Sequence, residues 1–190
     1  MSNIVDTRSL IENDLNEEKW RDARKLIRIE MKKHPDNHWL VLQLSTTYYE
    51  EHQYDRSLEL IKMARQMAPK CPAVAWNYAS SLDMVGDKKE AIKIWQSLLK
   101  RGVDKLAFLD DCGEGILWTK SLLNDCLYRI GLSYADMGKS SHAIRYIEEH
   151  ISQRRPGIPS LYSMKEVKRK LKRLREMNTI KDTAAINQDK

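Results

Sequence analysis

Apolar residues along the chain recur at i, i+3, i+4 and i+7, the spacing of one face of an α-helix, and they do so in blocks that themselves repeat. Three segments align without gaps: KWRDARKLIRIEMKKHP closing at Pro35, QYDRSLELIKMARQMAP closing at Pro69, and DKKEAIKIWQSLLKRGV closing at Val103. Ala23, Ser57 and Ala91 are small and stand 34 residues apart. Ile27, Ile61 and Trp95 follow four residues later and are large. The upstream halves, LVLQLSTTYYEEHQ (40–53) and AWNYASSLDMVG (75–86), keep the same beat, with Leu44 matched by Tyr78 and Ser45 by Ala79. A small residue lets two helices approach closely, and a large one fills the groove beside it. The pattern predicts helix pairs joined by short turns. Gly86 and Gly138, each followed by polar residues (DKK, KSS), mark two of those joints.

A fourth unit, CLYRIGLSYADMGKSSHAIRYIEEHISQRRP, arrives late: Ala143 follows Ala91 by 52 residues, one repeat plus 18. The interruption is periodic in its second half, ILWTKSLLNDCLYRIGLSYADMG (116–138). This predicts a first helix extended at its N-terminal end by about two turns. Gly113 and Gly115 allow a sharp entry, and Asp110, Asp111 and Glu114 suit the positive end of the helix dipole. Two readings of the interruption stay open. Its loop and helix extension, carrying Phe108 and Trp118, form one wall of a groove, or they are a spacer that changes the pitch of the array.

After the fourth unit, GIPSLYSMKEVKRKLKRLREMN reads as a turn and a helix. Met164, Val167, Leu171 and Leu174 make a stripe that must be buried. Lys165, Lys168, Arg169, Lys172 and Arg173 lie on the remaining faces. They are either the solvated side of a capping helix or a basic ridge for an acidic partner, an anionic surface or nucleic acid. Aromatic residues do not interleave with the basic run, so stacking on single strands has no support. The polar segment 178–190 is expected to be a flexible tail.

Composition narrows the function. The chain has 190 residues, 42% hydrophobic and 32% charged, as in ordinary helical globular proteins. The net charge is +6, but nine Lys and Arg against two Glu fall between Arg154 and Glu176. The rest is close to neutral, which argues against a general nucleic-acid binder. Cys71, Cys112 and Cys126 are an odd set without a CxxC pair, so neither a disulfide framework nor a zinc site is expected. They suit a reducing compartment, and with no secretory signal visible the expected location is cytoplasmic. No apolar run is long enough to span a membrane. Phosphate-loop, dinucleotide, zinc-protease and nucleophile-elbow motifs are absent. His34 and His38 are separated by Pro35, His142 and His150 are expected on a solvated helix face, and Cys112 sits in an acidic loop. No metal, cofactor or catalytic set is expected, and the protein is read as no enzyme.

The repeat length and the small–large alternation resemble the tetratricopeptide repeat family. The resemblance covers residues 4 to 156 apart from the interruption. It departs at Ile11 and Asp14 in the first unit, at Ser57, and at the missing proline of the third. It implies an all-α fold: a right-handed superhelical solenoid of about four stacked helix–turn–helix repeats with a C-terminal capping helix. Residues 1–177 form the array, with units over 4–37, 38–71, 72–105 and 124–157, an insertion over 106–123 and a capping helix over 161–177. In such an array the first helices line a concave groove. Periodicity then places Trp39, Leu42, Gln43, Thr46 and Tyr49 in the groove, with Trp76, Asn77 and Ser80 beside them and Tyr128 and Arg129 further on. Alternatively the tryptophans pack between helices. Members of the family bind peptide segments in that groove, which implies a protein partner and an adaptor or scaffold role; self-association through exposed edges is the alternative. A subfamily clamps a chaperone's C-terminal carboxylate with Lys, Asn and Arg side chains. Asn77 and Arg129 match, but Leu42, Thr46 and Asp125 do not, so that ligand is not expected.

Overall fold

A computed structural model describes residues 3–109 and 112–188. Among these the chain is helical throughout, with α1 (Asn3–Asn16), α2 (Trp20–Lys33), α3 (His38–Glu50), α4 (Tyr54–Met67), α5 (Pro72–Met84), α6 (Lys88–Ala107), α7 (Gly115–Asp136), α8 (Ser140–Gln153) and α9 (Met164–Gln188). The chain divides into two compact units, residues 1–87 and 88–190.

Local signals set the helix ends. Asn37 caps α3 by accepting the Trp39 N–H at 3.0 Å, and Pro72 occupies the first turn of α5. Helices α2 and α4 stop just before Pro35 and Pro69, where the proline ring disfavours helical geometry in the preceding residue. The joint after each first helix needs a left-handed residue. Gly86 and Gly138 supply it at φ 99° and 73°. The two earlier repeats use Glu18 (φ 58°) and His52 (φ 62°) at the same place in the 34-residue beat. Where the third repeat lacks its proline, Gly102 breaks the helix instead (φ 76°, ψ 171°), and helical structure resumes to Ala107.

In the first unit the core gathers Ile11, Ala23, Ile27, Leu40, Leu44 and Tyr48, all buried. Ser57, which stands where alanine dominates the other repeats, is fully buried and satisfied: its hydroxyl lies 2.9 Å from that of Ser45 and 3.0 Å from that of Ser81. Arg24 closes the same region, donating to both carboxylate oxygens of Glu51 at 2.8 and 3.0 Å and lying over the Tyr48 ring.

In the second unit, α7 runs 22 residues where α3 and α5 run 13, and its first turns come from the stretch read as an interruption. Gly131 sits where α7 meets α8. A Cβ there would lie 2.7 Å from Ile147 Cγ1 and 3.2 Å from the Ala143 carbonyl oxygen. The missing side chain is what permits the close approach. Helix α9 lays Val167, Leu171 and Leu174 onto Tyr128, Ala143 and Ile147. It continues to Gln188, so the expected tail from 178 is helical over most of its length; TIKDTAAINQ contains neither Gly nor Pro to stop it. No helix among the described residues is long and apolar enough to cross a membrane.

Candidate functional site

Helix α3 presents Trp39, Leu42, Gln43, Thr46 and Tyr49 at i, i+3, i+4, i+7 and i+10, one side of the helix. Their exposure is uneven. Leu42 is buried, whereas Trp39, Gln43, Thr46 and Tyr49 remain partly open to solvent. The Arg8 guanidinium of α1 lies 4.7 Å from the Trp39 ring, and it is also paired with Glu12 at 2.8 Å. The ring therefore already attracts a cation from its own chain. Thr46 bonds back to the Leu42 carbonyl at 3.1 Å, and Tyr49 meets Tyr54 edge-on at 5.3 Å.

On α5, Trp76 and Ser80 are buried, and Asn77 is half-buried with its amide donating to the Ala73 carbonyl at 2.9 Å. That bond uses one amide hydrogen. The Asn77 side chain has a second donor and an acceptor oxygen besides.

Tyr128 and Arg129 belong to the second unit. The expectation that Tyr128 is a groove residue needs correction. It is 1% exposed, covered by Tyr162 at 4.5 Å between ring centres and by the apolar stripe of α9. Burial pushes its phenol up to about 12. Arg129 is half-buried with its guanidinium 5.2 Å from the Trp95 ring. The connection into α9 is fastened by Asp125, which accepts the Ser160 hydroxyl at 2.5 Å and the Leu161 N–H at 2.9 Å. Burial of Asp125 raises its carboxyl above the usual range despite these donors.

His150 is a second correction. It is fully buried, with Nδ1 2.9 Å from the Asn124 carbonyl oxygen, and burial holds its imidazole below the ordinary value. Its position follows the α8 register: His150 lies one turn beyond Ile147 on the face that meets α7. Cys126 is wholly buried and its thiol is pushed well up, so it is core rather than a nucleophile.

Phe108 is 69% exposed, and Trp118 is half-buried near the start of α7. Asp110 and Asp111 lie outside the described residues. Lys165, Lys168, Arg169, Lys172 and Arg173 are all exposed along α9, beside an Arg175–Glu148 ion pair of 2.6 Å.

The helix pairs, their 34-residue beat and the small residues at their contacts define the class: this is an all-α helix–turn–helix repeat protein with the tetratricopeptide-repeat fold. Solved structures agree. A crystal structure of MamA matches with a TM-score of 0.62 at 19% identity over 92% of this chain and 88% of that one. The C-terminal part of a TPR repeat-containing protein from Cytophaga hutchinsonii matches at 0.63 and 18%, over 90% of this chain and 58% of the other. The TPR2AB domain of yeast Sti1, in complex with pHSP90, matches at 0.56 and 16%, over 74% and 47%. No family model and no curated protein matches the sequence.

Proposed function

We propose that the chain is a non-enzymatic protein-interaction module whose α3–α5 face receives a peptide or helical segment of a partner protein. The observation that carries this reading is the open side of α3. Trp39, Gln43, Thr46 and Tyr49 stay partly exposed along it, and Asn77 on α5 keeps donor and acceptor capacity. Aromatic rings supply contact area at little entropic cost, and a carboxamide pairs with a peptide main chain. The Sti1 domain of like fold is in a complex with pHSP90, which supports a polypeptide as ligand.

The test is a pull-down with wild type and a Trp39→Ala/Asn77→Ala double variant. Both residues are half-buried, so the variant should keep its helix content by circular dichroism, whereas truncating buried Trp76 would open the core. Partners held by wild type and lost by the folded variant support the reading. Partners retained equally by both refute it.

A further inference from the structure

The second unit contains a cleft that the repeat pattern does not require. It is open to solvent, about 680 Å³ in volume, and bounded by α6, the early turns of α7, the later turns of α8 and the loop at 154–158. That volume suits a small ligand or a few side chains of a peptide. Two irregularities help to shape it. Gly102 breaks α6 and leaves Val103 on one wall, and the extended start of α7 contributes Lys120 and Leu123. A hydrogen bond of 2.9 Å from the Gln96 amide to the Tyr146 hydroxyl ties α6 to α8 between two of the lining residues.

The lining is chemically mixed in a directed way. Leu99, Leu123, Leu127 and Ile158 offer an apolar surface. Two cations, Lys120 and Arg155, and one carboxylate, Glu149, line it. Arg155 donates to the Ser152 and Arg154 carbonyl oxygens at 2.6 and 2.9 Å, and Glu149 accepts from Gln153 at 3.2 Å. Asn124 also lines the cleft. It is 4% exposed, and neither its side-chain oxygen nor its nitrogen has a hydrogen-bond partner. A buried amide left unpaired is costly and rare in folded proteins. A peptide group carries the complementary donor and acceptor.

We infer that this cleft is a second peptide-binding site, which takes a segment of a partner protein carrying an apolar side chain next to an acidic one. The apolar side chain fills the space between Leu99 and Ile158. The carboxylate meets Lys120 and Arg155. The main-chain amide between them pairs with Asn124. Charge selects the occupant: lining cations outnumber anions, so a basic–apolar segment is disfavoured. The site lies wholly in the second unit and does not depend on the α3–α5 reading.

N-acetyl-Leu-Asp-amide is the probe, titrated to about 10 mM against the full chain, which suffices for a Kd near 1 mM. Two-dimensional NMR should show saturable shifts of the Asn124 side-chain amide and of Lys120, with α3 resonances unmoved. N-acetyl-Leu-Lys-amide, which has no carboxylate, should give shifts at least about tenfold weaker. Lys120→Glu should weaken binding of the acidic probe about tenfold or more, and Val103→Trp, which fills the cleft from a half-buried position, should abolish it. Trp39→Ala should leave it unchanged, so failure here is separable from failure at α3. The inference is overturned by an absence of shifts at Asn124 and Lys120, by equal response to both probes, or by binding that survives Val103→Trp.

Discussion

Gly131→Ala separates two opposing effects of one methyl group. In an isolated helix, alanine is better than glycine by about 1 kcal/mol. In this chain the added Cβ would lie 2.7 Å from Ile147 Cγ1, well inside van der Waals contact, and 3.2 Å from a backbone oxygen. Ile147 is fully buried, and its β-branched side chain has little rotamer freedom within a helix. Relief therefore requires α7 and α8 to separate, and such overpacking costs about 1–3 kcal/mol. The backbone gain offsets part of this, and we expect a net loss of up to about 2 kcal/mol. Urea unfolding followed by far-UV circular dichroism measures it. The cause is tested by Ile147→Ala, which alone should cost about 2–5 kcal/mol. Combined with Gly131→Ala it should cost less than the sum, because the new methyl then occupies vacated space. A Gly131→Ala variant more stable than wild type by about 1 kcal/mol, as in an uncrowded helix, or strictly additive costs, would refute the close-approach argument.

Other consequences follow from single positions. Glu18→Gly should raise stability by about 0.5–1 kcal/mol, since glycine tolerates the left-handed conformation at lower steric cost; thermal unfolding reads it. Asp125→Asn replaces one acceptor oxygen by a donor facing Ser160 or Leu161, and should cost about 1–3 kcal/mol. Hydrogen exchange should rise first across Val167–Leu174. His150 is held neutral by burial, so below about pH 6.5 the unfolded chain binds a proton that the folded chain resists. Its contribution to stability is therefore present above that pH and is lost as pH falls, by at most about 1.4 kcal/mol per pH unit. A His150→Gln variant should show a flatter loss of melting temperature from about pH 7 to about pH 5 than wild type.

Much of the architecture could be read in the order of residues because repeats state the same instruction several times. Ala23, Ser57, Ala91 and Ala143 are all fully buried, as are Ile27, Ile61, Trp95 and Ile147. Each copy confirms the register of the others, and the extended α7 was visible because its periodicity continues upstream of the fourth unit. The errors lie where one element covers another. Tyr128 carries the same local signal as an exposed groove aromatic, and only the docking of α9 buries it. His150 is polar, which suggested solvent, yet its register places it against α7. Glu18 and His52 adopt a conformation that sequence usually announces with glycine, so only Gly86 and Gly138 gave a signal. The cleft beside Gly102 depends on where helix ends fall in space, and its lining residues are scattered from Gln96 to Ile158.

The central claim is that the open side of α3 is where a partner docks. The most direct measurement places a photo-crosslinking amino acid at Gln43, on that side, or at exposed Glu59 on α4, and compares what each captures in cells. We expect a discrete set of proteins joined at Gln43, absent at Glu59, and lost from the Gln43 probe when Trp39→Ala is added. Capture of the same proteins from both positions, or none from Gln43, would contradict the account.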